Sequence, residues 1–387
     1  MSWVGEKSTA SSPEPSRESS PLPPRVVMHV DLDYFYAQCE ENANPSIRGK
    51  PVVVCVYSGR TEESGAVSTS NYIARKYGVK AGIPIVRARK LLESVDSAFL
   101  PMNRPYYEQV SARVMEILRT HGDAYEKMSI DEAFLDISDR MRLNYDAARD
   151  TAREIKNQLL TEEHITCSVG VAPNKVVAKI ASDQTKPDGL TVVKPEEVND
   201  FLSPLPVGRI PGVGVKAEER LTQLNVSTIA ELSALAPTVL VEIFGKSLGS
   251  YLYQASRGEN DEPVKEREQP TQFSRIATLK QNTRKLDEIL PLLEDLVNSV
   301  AEKTKANGMT CRSVAIIAIL TDLSMHSKST TLETSTSDAS VIGAASKELI
   351  EEFLQSMPDA VLRRVGVRVS DLMKPTGQTD ISKFLTV

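Results

Sequence analysis

Residues 26–36 read Val26-Val27-Met28-His29-Val30-Asp31-Leu32-Asp33-Tyr34-Phe35-Tyr36, an apolar β-branched run ending in two carboxylates and then three aromatics. A run with so little polar alternation predicts a short buried strand. The end of such a strand is where a rigid scaffold hands side chains to solvent, which makes Asp31 the first candidate site residue. Farther along, Tyr125–Ile137 alternates like two strands joined at Asp131-Glu132. If these strands share a sheet with the first, Asp31, Asp131 and Glu132 can converge at its edge. Three hard oxygen donors with no Cys or His nearby suit a cation such as Mg²⁺. The same acids also read as turn and strand-capping residues that bind nothing. Tyr34, Phe35 and Tyr36 either fence a ligand or fill a strand–helix junction. Eight of the eleven tyrosines lie between 34 and 125, which concentrates them in the first part of the chain.

The organisation follows from composition. The chain has 387 residues, 41% hydrophobic and 25% charged, enough for several cored domains. No apolar run reaches the roughly 20 residues of a membrane helix, and the polar opening predicts no signal peptide. The four scattered cysteines support neither a disulfide framework nor a zinc site. Residues 1–24, rich in Ser and Pro, predict a disordered tail. Mixed strands and helices through about residue 190 give one α/β or α+β body. Short helices with Pro and Gly breaks run to 257, a charged stretch at 258–267 reads as a solvated linker, and 268–373 reads as a second α/β unit. Strand-like runs in that unit fall at 272–280, 312–322 and 361–369, and helix-like runs at 286–302 and 343–355.

Thr69, Tyr72 and Arg75 are spaced to share roughly one helical face, and with Lys186 downstream they form either a phosphate clamp or a solvated surface. Gly212-Val213-Gly214-Val215-Lys216-Ala217 satisfies the permissive dinucleotide fingerprint, but Pro211 rather than a strand precedes it. Gly245-Lys246-Ser247 resembles the end of a Walker A loop, yet Leu240 stands where its first glycine belongs. The Pro-Gly-Val-Gly stretch fits a helix-hairpin-helix better, its turn offering backbone N–H groups to a phosphate.

With those residues in view, the chain resembles the Y-family DNA polymerases, specifically DinB-type translesion enzymes of archaeal kind. The motifs stand as Val30-Asp31-Leu32-Asp33-Tyr34-Phe35-Tyr36-Ala37-Gln38, Gly49-Lys50-Pro51-Val52-Val53-Val54 and Asn71-Tyr72-Ile73-Ala74-Arg75-Lys76-Tyr77-Gly78-Val79. Ser129-Ile130-Asp131-Glu132-Ala133-Phe134-Leu135-Asp136 and Asn174-Lys175-Val176-Val177-Ala178-Lys179 complete the set. The likeness runs from about 25 to 373. It implies an α+β multidomain right hand: palm (25–34 and 101–190), fingers (35–100), helical thumb with the helix-hairpin-helix (191–257), linker (258–267) and an α/β little finger (268–373).

The resemblance further implies that Asp31, Asp131 and Glu132, with the Leu32 carbonyl, hold two Mg²⁺ ions for nucleotidyl transfer. It assigns Tyr36 as the steric gate against a ribose 2′-OH, and Thr69, Tyr72, Arg75 and Lys186 as dNTP triphosphate contacts. Ala66 and Ser68 would roof the templating base, and their small size accords with low-fidelity bypass of damaged bases. Primer-template DNA and dNTPs are the implied partners of a monomer working in an archaeal-like cytoplasm on the nucleoid.

A net charge of −6 argues against a nucleic-acid partner when taken over the whole chain. Within 268–373, 12 Lys and Arg stand against 14 Asp and Glu, but they are sorted. Arg275, Lys280 and Arg284 fall in 272–285 and Arg363, Arg364 and Arg368 in 361–370, neither stretch holding an acid, and the acids cluster in helical runs, so a basic sheet face is expected to grip phosphates. Gly212, Gly214 and Lys216 are the expected thumb contacts. At 374–387, Gln378, Ile381, Phe384 and Leu385 resemble the motif that docks polymerases on PCNA-type sliding clamps. A non-catalytic, clamp-bound DNA scaffold is the alternative, and its expected mark, loss of a metal carboxylate, is absent from the sequence.

Overall fold

A computed structural model describes residues 24–266 and 270–374, so the Ser/Pro-rich tail and the motif of Gln378, Ile381, Phe384 and Leu385 lie outside the described residues. Among the described residues there are twelve strands: β1 (Val27–Leu32), β2 (Val52–Tyr57), β3 (Gly65–Ser70), β4 (Ala98–Pro101), β5 (Ala124–Lys127), β6 (Glu132–Asp136), β7 (Cys167–Ala172), β8 (Leu190–Val192), β9 (Gln272–Thr283), β10 (Thr310–Leu320), β11 (Met325–Thr336) and β12 (Leu362–Met373). The chain divides into two compact units. One joins the described residues up to Asp31 to Val114–Lys265, and the other joins Leu32–Arg113 to the described residues from Glu266 onward.

The first unit is built on a five-stranded sheet of order β5-β6-β1-β7-β8. β1 is central, and Val26, Val27, Met28, His29 and Val30 are fully buried, as an apolar run without alternation requires. The helix Lys175–Ser182 packs on β7, its N-terminus capped by the Asn174 side chain accepting from the Val177 amide. Gly170 of β7 lies at that crossing, where an added Cβ would be driven into the Ala178 carbonyl and the Ser182 amide. Gly170→Ala is expected to cost about 3 kcal/mol, because backbone on both sides leaves nothing to yield. Urea denaturation reads this directly, and a loss under about 1 kcal/mol would mean the strand and helix separate freely.

Short helices follow from 191 to 257, ending in the long helix Pro237–Ala255, which Gly245 kinks with a left-handed φ of 79°. The expected solvated linker is different in the structure. Val264 is buried in the first unit's core, and Arg25 donates to the carbonyls of Asn260 (2.9 Å) and Glu262 (3.1 Å). Buried Lys175 ion-pairs with both Glu126 (2.7 Å) and Glu262 (3.0 Å). Charge density misled the sequence reading here: Glu262 is paired and Val264 enters the core, while Glu259, Asp261 and Lys265 stay exposed.

The second unit holds two sheets. One has the order β3-β2-β4, and the other β11-β10-β12-β9 with the helices Leu286–Ala306 and Ala339–Ser356 packed on one face. The pattern reading found no strand at β11, whose Ser/Thr-rich sequence has no apolar alternation. It pairs with β10 from Ser313↔Thr331 to Ile319↔Met325. The β9–β12 ladder breaks between Leu362↔Thr283 and Arg364↔Thr278. The Arg60 guanidinium meets that break, with Nε donating to the Leu279 carbonyl (2.6 Å) and Nη2 to that of Arg363 (3.2 Å).

Candidate active site

The carboxylate set belongs to the first unit. β1 and β6 run antiparallel with Asp31 directly opposite Glu132, and Asp131 ends the turn that leads into β6. That turn is tied by the amides of Met128 (3.0 Å) and Ser129 (3.2 Å) donating to the Glu132 carbonyl. Ser129 Oγ donates to Asp131 Oδ1 at 2.5 Å.

Two lysines serve as counter-ions. Lys186 Nζ lies 2.7 Å from Asp31 Oδ1 and 2.7 Å from Asp183 Oδ1, while Lys179 ion-pairs with Glu132 Oε2. Burial raises the Asp31 carboxyl to about 6 despite Lys186, with Asp131 and Asp183 adding to the rise. Glu132 goes the other way, held down to about 2 by the His29 imidazole, against its own burial, and further by Lys179. Burial pulls the Lys186 ammonium down, but Asp31 and Asp183 outweigh it and leave the group above the usual lysine value.

As arranged, no three His, Cys, Asp or Glu among the described residues are gathered to hold a metal ion. The donor chemistry nevertheless fits a hard divalent cation. The three acids are oxygen donors at one end of a sheet, and the Lys186 and Lys179 ammoniums already neutralise two of them.

The second unit carries the aromatic and hydroxyl-bearing residues. Tyr34 has a left-handed φ of 35° and caps the helix Phe35–Ala43, a sharp strand-to-helix turn that costs a non-glycine residue about 1–2 kcal/mol. Tyr36 stacks on Tyr107, with centroids 4.6 Å apart and planes 15° from parallel. Tyr107 is fully buried and donates from its hydroxyl to Glu40 Oε1 (2.5 Å). Tyr107 had no role in the sequence reading, and its only signal was its membership in the tyrosine-rich segment.

Thr69, Tyr72 and Arg75 do not share a helix, since Thr69 belongs to β3 and the helix begins at Tyr72. Asn71 between them caps that helix, accepting from the Ala74 amide. Arg75 lies over the Tyr72 ring (4.6 Å), and its Nε donates to the Ser70 carbonyl (3.0 Å). Ser68 is the extra residue of a β-bulge, between the pairs Val54↔Thr69 and Cys55↔Val67, a device that re-aims side chains. Ala66, half-buried, pairs with Val56.

The basic residues do not form one face. Arg275 shares its strand face with Phe273 and Ala277, which pack into the helix-covered core, and it donates to Ser299 of the helix Leu286–Ala306 (3.3 Å). Arg284 donates to the Leu354 carbonyl near the end of Ala339–Ser356 (3.2 Å). Strand parity thus turns Arg275 toward the helices, and Arg284, one residue beyond β9, reaches them through its bond to Leu354. Arg364 and Arg368 alternate with the core residues Val365, Val367 and Val369 and so project from the opposite face. Lys280 is exposed in the unpaired segment and Arg363 flanks the same ladder break. Gly212 (φ 87°), Gly214 and Lys216 cluster at the start of the helix Val215–Thr222, where Tyr251 donates to the Pro211 carbonyl (2.6 Å).

The chain is similar to known proteins in sequence and in fold. The impB/mucB/samB family matches residues 30–183, its C-terminal domain residues 270–382, and a DNA polymerase-iota thumb domain residues 208–260. The chain is 42% identical over 361 residues to a DNA polymerase IV of Nitrosopumilus maritimus, covering 93% of this chain and 99% of that one. It is 43% identical over 366 residues to a DNA polymerase IV of Methanosarcina acetivorans, with the same coverage. Among solved structures, a Y-family chimera of Dbh and Dpo4 has a TM-score of 0.85 at 39% identity, covering 90% of this chain and 99% of that one. An insertion ternary complex of Dbh DNA polymerase has a TM-score of 0.65 at 39% identity, with the same coverage. The chain therefore belongs to the impB/mucB/samB family, as a DinB-type Y-family DNA polymerase with a right-hand fold and a little-finger domain.

Proposed function

We propose that Asp31, Asp131 and Glu132, with the Leu32 carbonyl, are the metal-binding center of this DNA-directed translesion polymerase. The observation that carries the reading is the β1–β6 register, which sets Asp31 against Glu132 with Asp131 beside it. Two Mg²⁺ ions held there would lower the charge barrier on both the attacking primer 3′-oxygen and the leaving pyrophosphate. Lys186, which pairs with Asp31, would also meet the dNTP triphosphate. Thr69, Tyr72 and Arg75 would orient the same triphosphate, with Arg75 using the guanidinium nitrogens that Ser70 does not engage. Tyr36 would exclude ribose, and Ala66 and Ser68 would leave room above a damaged templating base.

The palm, fingers, thumb and little-finger bounds expected from the sequence are proposed to stand, supported by the three family matches. Arg364, Arg368, Lys280 and Arg363, with Gly212, Gly214 and Lys216, are the proposed DNA contacts, and Arg275 and Arg284 are not. Docking of a monomer on a PCNA-type clamp through Gln378, Ile381, Phe384 and Leu385 rests on the motif alone. Cytoplasmic action on the nucleoid rests on the polymerase relatives.

Primer extension across a single abasic site, with Mg²⁺ and dNTPs, tests the reading beside an Asp131→Ala control. Extension past the lesion by the native chain alone is expected. A control that extends equally well removes Asp131 from the site, and binding without any extension would favour the scaffold alternative.

A further inference from the structure

Glu132 is held on one oxygen only. His29 Nε2 lies 3.2 Å from Oε2 on the buried side, and Lys179 reaches that same Oε2 from the more open side. Neither partner touches Oε1. His29 is fully buried in central strand β1, with its ring 4.6 Å from that of Phe134 and its Nδ1 2.8 Å from Ser182 Oγ. Its Nε2 has no hydrogen-bond partner of good geometry. Ser182 Oγ also lies 2.8 Å from the Lys179 carbonyl, so its single hydrogen serves either that oxygen or Nδ1; the acceptor Glu132 facing Nε2 favours the tautomer with the hydrogen on Nε2 and Ser182 donating to Nδ1. Ser182 and Lys179 both come from the helix Lys175–Ser182, the one locked against Gly170.

We propose that His29 and Lys179 are positioning residues that fix Glu132 by its Oε2 and so present Oε1 to the catalytic cation, with Ser182 orienting His29. This rests on Glu132 being an ion ligand. Neither residue touches substrate. Outer-shell partners of this kind commonly change metal affinity 10–100-fold.

The test is Mn²⁺ binding, read by electron paramagnetic resonance on the full chain with a dideoxy-terminated primer-template and dNTP. DNA affinity is followed separately by anisotropy. His29→Phe and Lys179→Met are each expected to weaken Mn²⁺ binding about tenfold or more with DNA affinity unchanged, whereas His29→Gln, which keeps a donor near Nε2, stays within about threefold. If His29→Phe fails to fold, Ser182→Ala is expected to move Mn²⁺ affinity the same way by severalfold.

Native-like Mn²⁺ affinity in His29→Phe and Lys179→Met, beside a clear loss in Glu132→Ala, overturns the positioning role and leaves the ligand role intact. Tighter Mn²⁺ binding in Lys179→Met also overturns it, marking Lys179 as a competing cation. Unchanged affinity in Glu132→Ala overturns both.

Discussion

Asp31→Asn is expected to lower nucleotidyl transfer a thousandfold or more while leaving the fold at least as stable as the native chain above pH 6. The first half follows from the proposed ligand role, since one of three carboxylates would be lost where both developing charges of the transition state need cations. The second half follows from the Asp31 carboxyl, which burial raises from 3.8 to about 6. An acid raised in the folded state binds protons more readily there than in the unfolded chain. Stability from this group is therefore present below about pH 4, lost as pH rises toward 6, and absent above it. Two pKa units correspond to roughly 3 kcal/mol, an upper figure because the side chain keeps some solvent contact. Asparagine removes the buried charge, and Lys186 retains Asp183 as its partner. Thermal melts at pH 5 and pH 8 with single-turnover extension check both halves. A melting temperature well below native at pH 8 would show that the Asp31–Lys186 pair stabilises the fold, and activity within tenfold of native would remove Asp31 from the chemistry.

Local apolar pattern decides which parts of this candidate site could be read from the sequence. Asp31, Asp131 and Glu132 were legible because a buried strand and a hairpin announce themselves by apolar pattern, and acids at their ends stand out. The groups that hold those acids were not. His29 reads as one more member of an apolar run, Lys179 as a polar position on a packed helix, and their meeting on one oxygen depends on a crossing that no local pattern encodes. Thr69 and Tyr72 show a related limit, since residue spacing suggested one helix where Asn71 ends a strand and caps the next helix. Arg275 and Arg284 show another. Strand-like runs reveal where basic residues cluster, but only the register decides which face they take. β11 escaped notice because a strand with neither face apolar carries no period.

Tyr36→Ala is expected to raise ribonucleotide insertion at least a hundredfold while dNTP insertion stays within about tenfold of native. A hundredfold corresponds to about 2.7 kcal/mol, a plausible penalty for a clash with one hydroxyl. The ring can reject a 2′-OH only if it cannot step aside, and here the structure adds a second residue. Tyr36 stacks face to face on Tyr107, which is itself buried and anchored through its hydroxyl to Glu40. Tyr107→Ala removes that backing and is expected to relax sugar selection about tenfold by letting the gate swing. Tyr107→Phe keeps the stack and loses only the hydrogen bond, so it should stay near native. If Tyr36 is the gate and Tyr107 its backing, the Tyr36→Ala, Tyr107→Ala double variant should discriminate no worse than Tyr36→Ala alone. Insertion efficiencies for dCTP and rCTP opposite template dG measure all four. Additive losses in the double variant would mean that Tyr107 acts independently of the gate, and unchanged selection in Tyr36→Ala would mean that another group senses the sugar.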